Sequence, residues 1–218
     1  MIYLLHLETA TRACSVALSR DGQLIALKEI LTEQFSHAEN LTLFVQDVLD
    51  QAGITLSDIS AVSVSSGPGS YTGLRIGVST AKGYCYALGI PLIAIDTLYS
   101  LAVLATEKHP GKVLCPVIDA RRMEVYNAIY SPSLDMLKII SADIIDSSSY
   151  SEYEPLLCLG DGQQKLQEIW AGRPIEFDEE IHSSAKGQVA EAFRRFNNSQ
   201  FEDVAYFEPF YLKDFVTK

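Results

Sequence analysis

Residues able to do chemistry gather first in one glycine-rich stretch, Ser65-Ser66-Gly67-Pro68-Gly69-Ser70-Tyr71-Thr72-Gly73-Leu74-Arg75-Ile76-Gly77. It follows the apolar run Ile59 to Val64 and leads into Val78, Ala81, Cys85 and Leu88 at helical spacing, so the order is strand, turn, helix. Gly67 and Gly69 open backbone angles closed to other residues, Pro68 fixes the angle between them, and Ser70 or Thr72 can cap the helix. Such a turn aims backbone N–H groups at an anion, and the helix N-terminus adds partial positive charge. The glycines at 67, 69, 73 and 77 fit neither a Walker A loop nor the dinucleotide-binding spacing. A phosphate cradle and a tight packing junction therefore both stand as readings.

Other reactive residues are dispersed. No Gly-x-Ser-x-Gly elbow exists, and no His/Asp set accompanies a cysteine. Cys14, Cys85, Cys115 and Cys158 sit singly in apolar patterns, as buried thiols of a reducing compartment do, and His6, His37, His109 and His182 lack partners at metal-binding spacing. With 218 residues and 48% apolar content the chain can bury a substantial core. A net charge of -11 repels nucleic acid, and no Lys/Arg run interleaved with aromatics offsets it, so tRNA or any other RNA would need a partner's positive surface. The start Met1-Ile2-Tyr3-Leu4-Leu5-His6 has neither the basic flank nor the long apolar core of a signal peptide, and apolar stretches are strand-sized, which predicts a cytoplasmic chain off the membrane.

The elements that must position these residues can be read in order. Ile2 to Leu7, Ala13 to Leu18 and Leu24 to Ile30 read as three antiparallel strands, the last two joined by the hairpin signal Arg20-Asp21-Gly22. Ser36 and Glu39 form a capping box for a helix to about Gln51, with Leu41, Phe44, Val45, Val48, Leu49 and Ala52 as its core stripe and Leu43 outside it. The strand Ile59 to Val64, the glycine turn, a helix from Thr72 to Leu88, a strand Pro91 to Ile95 and a helix capped by Asp96 or Thr97 follow. This is the order of a ribonuclease-H-like lobe. After the break at Glu107 to Lys112, strand Val113 to Ile118, polar turn Asp119 to Arg122 and strand Val125 to Tyr130 repeat the opening layout, as two related lobes facing a cleft would. Beyond them come a strand Leu156 to Leu159, a helix Gln163 to Trp170 capped by Asp161, and a helix Ala185 to Phe196. The expected division is 1–106 and 107–199, with the apolar tail from about 200 to 218 completing the first lobe.

The run Ser66 to Gly77 followed by Thr80-Ala81-Lys82-Gly83 closely resembles the signature of the bacterial TsaB (YeaZ) family of tRNA threonylcarbamoyladenosine biosynthesis proteins. Matches continue at Glu8-Thr9-Ala10, Ser36-His37-Ala38-Glu39, Ala87 to Pro91, Ile118 to Arg122, Glu124-Val125-Tyr126, Gly160-Asp161-Gly162 and Tyr211-Leu212-Lys213-Asp214. The resemblance implies an α/β fold of two ribonuclease-H-like lobes of the actin/Hsp70/sugar-kinase (ASKHA) type, with the tail docked on the first lobe. It also implies a chain without activity alone, a required subunit that pairs with a TsaD-like catalytic paralogue, works with a TsaE-like ATPase, meets tRNA only through that complex and forms a homodimer when alone.

By the same resemblance, a lobed clamp of this type would hold ATP or ADP, if it holds any cofactor, through Glu8, Thr9, Gly67, Gly69 and Asp119. Glu8 stands where related chains carry Asp, and its extra methylene would push the carboxylate further into the cleft. Arg121 and Arg122 flank Asp119 closely enough to neutralise it. TsaD-like chains bind metal through a His-x-x-x-His pair; here His37 is followed by Leu41, and one imidazole is no metal site. The expected partner surface comprises His37, Leu41, Leu43 and Phe44 of one helix and a small-residue stripe, Gly73, Gly77, Thr80 and Tyr84, of the next. An active phosphotransferase and, less favoured, a metallopeptidase are the rival readings.

Overall fold

The computed structural model describes residues 1–32 and 37–213. Strands β1 (Tyr3–Glu8), β2 (Ala13–Arg20) and β3 (Gln23–Leu31) pair antiparallel, and the β2–β3 turn places Asp21 and Gly22 at φ 51° and 80°. Both central residues are left-handed, the geometry that lets a two-residue turn follow the twist of its strands. Helix α1 (His37–Ala52) follows; the expected Ser36 cap lies outside the described residues. Strand β4 (Ile59–Gly67), helix α2 (Tyr71–Leu88), strand β5 (Leu92–Asp96) and helix α3 (Thr97–Lys108) complete the first unit. Ser70 caps α2 by accepting from Gly73 N at 3.2 Å, and Asp96 caps α3 by accepting from Tyr99 N at 2.8 Å.

The second unit consists of β6 (Val113–Asp119), β7 (Glu124–Tyr130), β8 (Met136–Ile144), β9 (Leu156–Leu159) and β10 (Ile175–Asp178). Its sheet order, β10-β9-β6-β7-β8, repeats the first sheet's β3-β2-β1-β4-β5 read from the other edge, in each case a meander of three followed by two parallel strands. The two lobes are thus built alike. Two strands, β8 and β10, are not anticipated by the sequence pattern, and the expected helix from Gln163 is a 3-10 turn over Gln163–Leu166 followed by irregular turns around the buried Trp170. Asp161 does not cap it, because its carboxylate accepts from Asp119 N at 3.0 Å instead.

Each sheet is covered on both faces. The first packs α1 and α2 on one side, through Leu41, Phe44, Val45, Val48, Val78, Ala81 and Cys85, and on the other meets Ala192 of α4 (Val189–Asn197) against Leu4, Ala61, Ile93 and Ile95. Helix α3 lays Leu98, Leu101, Ala102 and Ala105 on the second sheet, and Trp170 and Tyr150 cover that sheet's opposite face. The expected boundaries therefore shift. α3 shares its core with the second unit, and the chain returns to the first unit near Ser184 rather than near 200: Ala185 N donates to Ser15 Oγ at 3.0 Å and Gln188 Nε2 to Leu7 O at 2.9 Å. All four cysteines are buried and free.

Gln188 is also the end of a directed polar chain through the first core. Ser63 Oγ donates to Gln188 Oε1 at 2.7 Å, so it accepts from His6 Nδ1 at 2.7 Å, and His6 Nε2 in turn accepts from Ser19 Oγ at 2.8 Å. Complete burial holds the His6 imidazole neutral, with its pKa pushed down to about 3. The histidine joins three strands and the returning segment, which no aliphatic residue of its size would do.

Asp178, with 4% of its side chain exposed, ties the end of α3 to β10 by accepting from Lys108 Nζ at 2.7 Å, His109 Nε2 at 2.6 Å and the backbone N–H groups of Glu180 and Ile181 at 2.8 and 3.2 Å. Burial opposes its charge, but these donors outweigh burial and hold the carboxyl well below its ordinary range. Asp178→Ala is expected to cost about 2–3 kcal/mol in urea unfolding, since two backbone donors lose their acceptor while Lys108 can turn to water. A loss below about 0.5 kcal/mol would show that the tie contributes nothing beyond a surface pair.

Candidate functional site: the interlobe cleft and the glycine turn

A cleft of about 540 Å³ opens between the two acidic turns, lined from the first unit by Ala10 to Arg12 and Gly69 to Thr72, and from the second by Ile118 to Arg122. β1 and β4 pair in parallel, which brings the turn that follows each of them to the same end of the sheet. Glu8, the last residue of β1, does not enter this cleft: it is fully buried, and its Oε1 accepts from Ala10 N at 2.7 Å. Burial pushes its carboxyl up to about 7, against the hydrogen bond from Ala10 that favours the anion. The expected reach of a longer side chain into the cleft is thus corrected; the glutamate folds back under its own turn.

Thr9 is buried too. Its Oγ1 donates to Gly73 O at 2.8 Å, and a Cβ built on Gly73 would lie 2.1 Å from Thr9 O. On Gly77 a Cβ would meet Thr9 Oγ1 at 2.2 Å, and on Gly69 it would meet Ala10 O at 2.4 Å. Gly67, at φ 111°, has Phe210 O where its side chain would be. Three of the turn's donors are spent in the same way: Ser70 N on Ala10 O at 2.7 Å, Gly73 N on Ser70 Oγ, and Leu74 N on Ser70 O at 2.8 Å. Between the phosphate cradle and the packing junction, the geometry fits the junction. These glycines let α2 sit directly on the turn after β1.

Asp119 is half exposed at the cleft and pairs with Lys165 Nζ at 2.6 Å, while accepting from Arg121 N at 2.7 Å. Lysine, not the flanking arginines, neutralises it. Of the residues expected at a nucleotide site, Gly69 and Asp119 line the cleft, whereas Glu8, Thr9 and Gly67 are packed away. No group of three or more His, Cys, Asp or Glu among the described residues is placed to hold a metal ion.

Several expected partner-surface residues face inward. His37 is buried with Nε2 against Thr11 O at 2.8 Å, and Leu41 and Phe44 are in the core beneath α1. Gly73 and Gly77, expected on an outer stripe opposite Ala81, are buried as well. Gly77 lies four residues from Ala81, hence on the same helical face, and that face meets Thr9. Leu43, 60% exposed on α1, does point outward, and Thr80 and Tyr84 are half-buried at the flank of α2. Tyr86, 86% exposed on α2, is not foreseen from the sequence because it falls off the small-residue stripe.

The tail crosses the cleft edge. Phe210 N donates to Ser66 O at 2.7 Å, Tyr211 packs on Tyr71 with ring centroids 4.8 Å apart, and Lys213 pairs with Glu124 of β7. Arg75 lies over Tyr71 at 4.0 Å. No helix among the described residues is long and apolar enough to cross a membrane.

Residues 30–214 match the family model described as TsaD, tRNA N6-adenosine threonylcarbamoyltransferase. The tRNA threonylcarbamoyladenosine biosynthesis protein TsaB of Escherichia coli K12 is 30% identical over 98% of this chain and 95% of its own length. Among solved structures, YeaZ from Pseudomonas aeruginosa superposes with TM-score 0.82 at 29% identity, over 97% of this chain and all of that one. The activator of 2-hydroxyisocaproyl-CoA dehydratase from Clostridium difficile, at 10% identity and TM-score 0.54 over 91% of this chain and 97% of its own, shares the fold, and with it the two-lobed ASKHA architecture.

Proposed function

The chain belongs to the TsaB (YeaZ) family, and from that premise we propose that it is the non-catalytic partner subunit of a complex that forms N6-threonylcarbamoyladenosine next to the anticodon of tRNAs reading codons that begin with A. In this reading a TsaD-like paralogue holds metal and substrate, a TsaE-like ATPase drives turnover, and this chain organises the paralogue. The observation that carries the proposal is the state of the glycine turn. The acid that would order a metal is sealed under its own strand, the loop's glycines are packed against Thr9, Ala10 and Phe210, and Ser70 N, Gly73 N and Leu74 N are spent on the chain itself. A lobe built this way offers a rigid surface in place of a phosphate clamp. Consistent with that, isothermal titration of the isolated chain with Mg-ATP is expected to show no micromolar binding. Micromolar binding abolished by Glu8→Ala would favour a phosphotransferase instead.

Leu43 and Tyr86 supply the exposed apolar positions on α1 and α2, which pack against each other. Leu43→Asp should leave the melting temperature of the free chain within about 2 °C, because an exposed substitution costs little. The same variant should weaken capture of the paralogue by about ten-fold or more if the residue is buried on association. Unchanged capture and unchanged self-association in sedimentation would move the partner surface away from these helices.

A further inference from the structure

The sequence separates Arg12 from Arg121 and Arg122 by about half the chain, and the fold brings all three to one cavity, Arg12 from the turn after Glu8 and the other two from the turn after Asp119. All three are exposed at the mouth of the cleft, and among the described residues their guanidinium groups make no hydrogen bond or ion pair. The carboxylates around them are otherwise engaged: Asp119 by Lys165, Glu124 by Lys213, and Asp161 by Asp119 N. The half-buried rings of Tyr71, Tyr126 and Tyr211 line the same cavity; Tyr71 packs against Tyr211 and under Arg75, while Tyr126 makes no such ring contact among the described residues. On a chain of net charge -11 this is a local concentration of uncommitted positive charge beside aromatic faces.

We propose that the cleft mouth is an RNA contact site, in which Arg12, Arg121 and Arg122 take the phosphodiester backbone of a single-stranded RNA segment and the ring of Tyr126 flanks its bases. Guanidinium groups suit phosphate because their planar donors engage its oxygens in pairs, and aromatic faces accept any base. The arginines stand open at the rim on both sides of the groove, which fits a strand passing across it. The turn at the floor, where a free nucleotide's phosphates would sit, has Ser70 N, Gly73 N and Leu74 N spent on its own chain. This site rests on the proposed subunit role for its biological RNA, a tRNA anticodon loop held between this chain and its partner, and it explains how an acidic subunit can assist in gripping a polyanion.

The test compares the wild type, the Arg12→Ala/Arg121→Ala/Arg122→Ala variant and the triple Arg→Lys variant. With the isolated chain, the probe is a fluorescein-labelled anticodon stem-loop RNA, titrated from low to physiological salt. The wild type should bind at low salt, and the alanine variant should bind roughly 10- to 100-fold more weakly near 0.1 M salt. Its slope of log affinity against log salt should be shallower by about 2, at about 0.7 for each phosphate that is no longer neutralised. The lysine variant should remain within about ten-fold of wild type. In the assembled complex the alanine variant should raise KM for tRNA while kcat and capture of the paralogue stay unchanged. Equal affinities and slopes, a lysine variant as weak as the alanine one, or loss of Mg-ATP binding with tRNA binding intact would each overturn the site. So would failure to capture the paralogue with RNA binding intact, since the arginines would then be a protein contact. If the wild-type chain captures no paralogue at all, the proposed subunit role fails, but the stem-loop titration still decides this site on its own. Ultraviolet cross-linking of the RNA to the wild type is a check that needs no variant: it should label the peptide around Tyr126, and labelling elsewhere alone counts against the site.

Discussion

Gly73→Ala is expected to destabilise the chain by about 3 kcal/mol, whereas Gly83→Ala, ten residues along the same helix, should stabilise it by up to about 1 kcal/mol. At Gly73 the new methyl carbon would lie 2.1 Å from Thr9 O, a backbone atom held by strand β1, so either the helix lifts or the turn after β1 yields. Lifting the helix also breaks the bond from Thr9 Oγ1 to Gly73 O, worth about 1 kcal/mol. At Gly83 an added Cβ meets nothing within 4 Å and the position is exposed, so only the propensity gain over glycine remains. Gly77→Leu belongs with Gly73: its side chain would enter Thr9, and folding should fail before association is affected. Urea unfolding of the alanine pair decides the matter, because the two variants make the same chemical change on one helix. If both move stability in the same direction, the packing against Thr9 is not what fixes these glycines.

How far the sequence revealed this depends on the kind of signal. β1 and β9 could be read within a residue or two and β4 to within three, because burial on both faces makes these strands mainly apolar, with the buried His6 of β1 and Ser63 of β4 each spent on a partner across the core. The edge strand β8 could not: Ile139 and Ile144 are 75% and 78% exposed, so its apolar residues do not mark a buried face. The 163–170 segment has helical composition, yet Asp161 is spent on Asp119 N and the first turn tightens to a 3-10 turn. The glycine turn was legible as strand, turn and helix, while the face of α2 that carries Gly73 and Gly77 was not. Small residues at four-residue spacing serve equally for a partner helix or for the chain's own backbone, and only the position of Thr9 decides. The arginine cluster left a trace: a basic residue follows each acidic turn, Arg12 after Glu8 and Arg121 and Arg122 after Asp119. That trace gains meaning once the two lobes are seen to repeat one strand order and to face each other across a cleft.

Glu8→Gln is expected to remove a pH dependence of stability and to leave the variant more stable than the wild type at pH 8. In the folded chain burial raises the Glu8 carboxyl from its ordinary 4.5 to about 7, so the folded state holds a proton that the unfolded state has already released. Its influence is absent below pH 4.5, where both states are protonated. As pH rises from 4.5 to about 7 the wild type loses about 1.4 kcal/mol per pH unit, about 3 kcal/mol in all, and above 7 the penalty stays constant. Asp96, raised to about 6 chiefly by burial, adds a loss of the same sign in a similar window. It is present in both proteins and cancels in the difference. Glutamine keeps an oxygen for Ala10 N and titrates nowhere, so the two unfolding free energies should agree near pH 4.5 and diverge to about 3 kcal/mol by pH 8. Adding magnesium at pH 8 should change neither, because a carboxylate folded under its own turn has no open side for the ion. Parallel pH profiles would mean that water reaches Glu8. Stabilisation of the wild type alone by magnesium would return this residue to the role of a metal ligand, and with it the chain to the phosphotransferases.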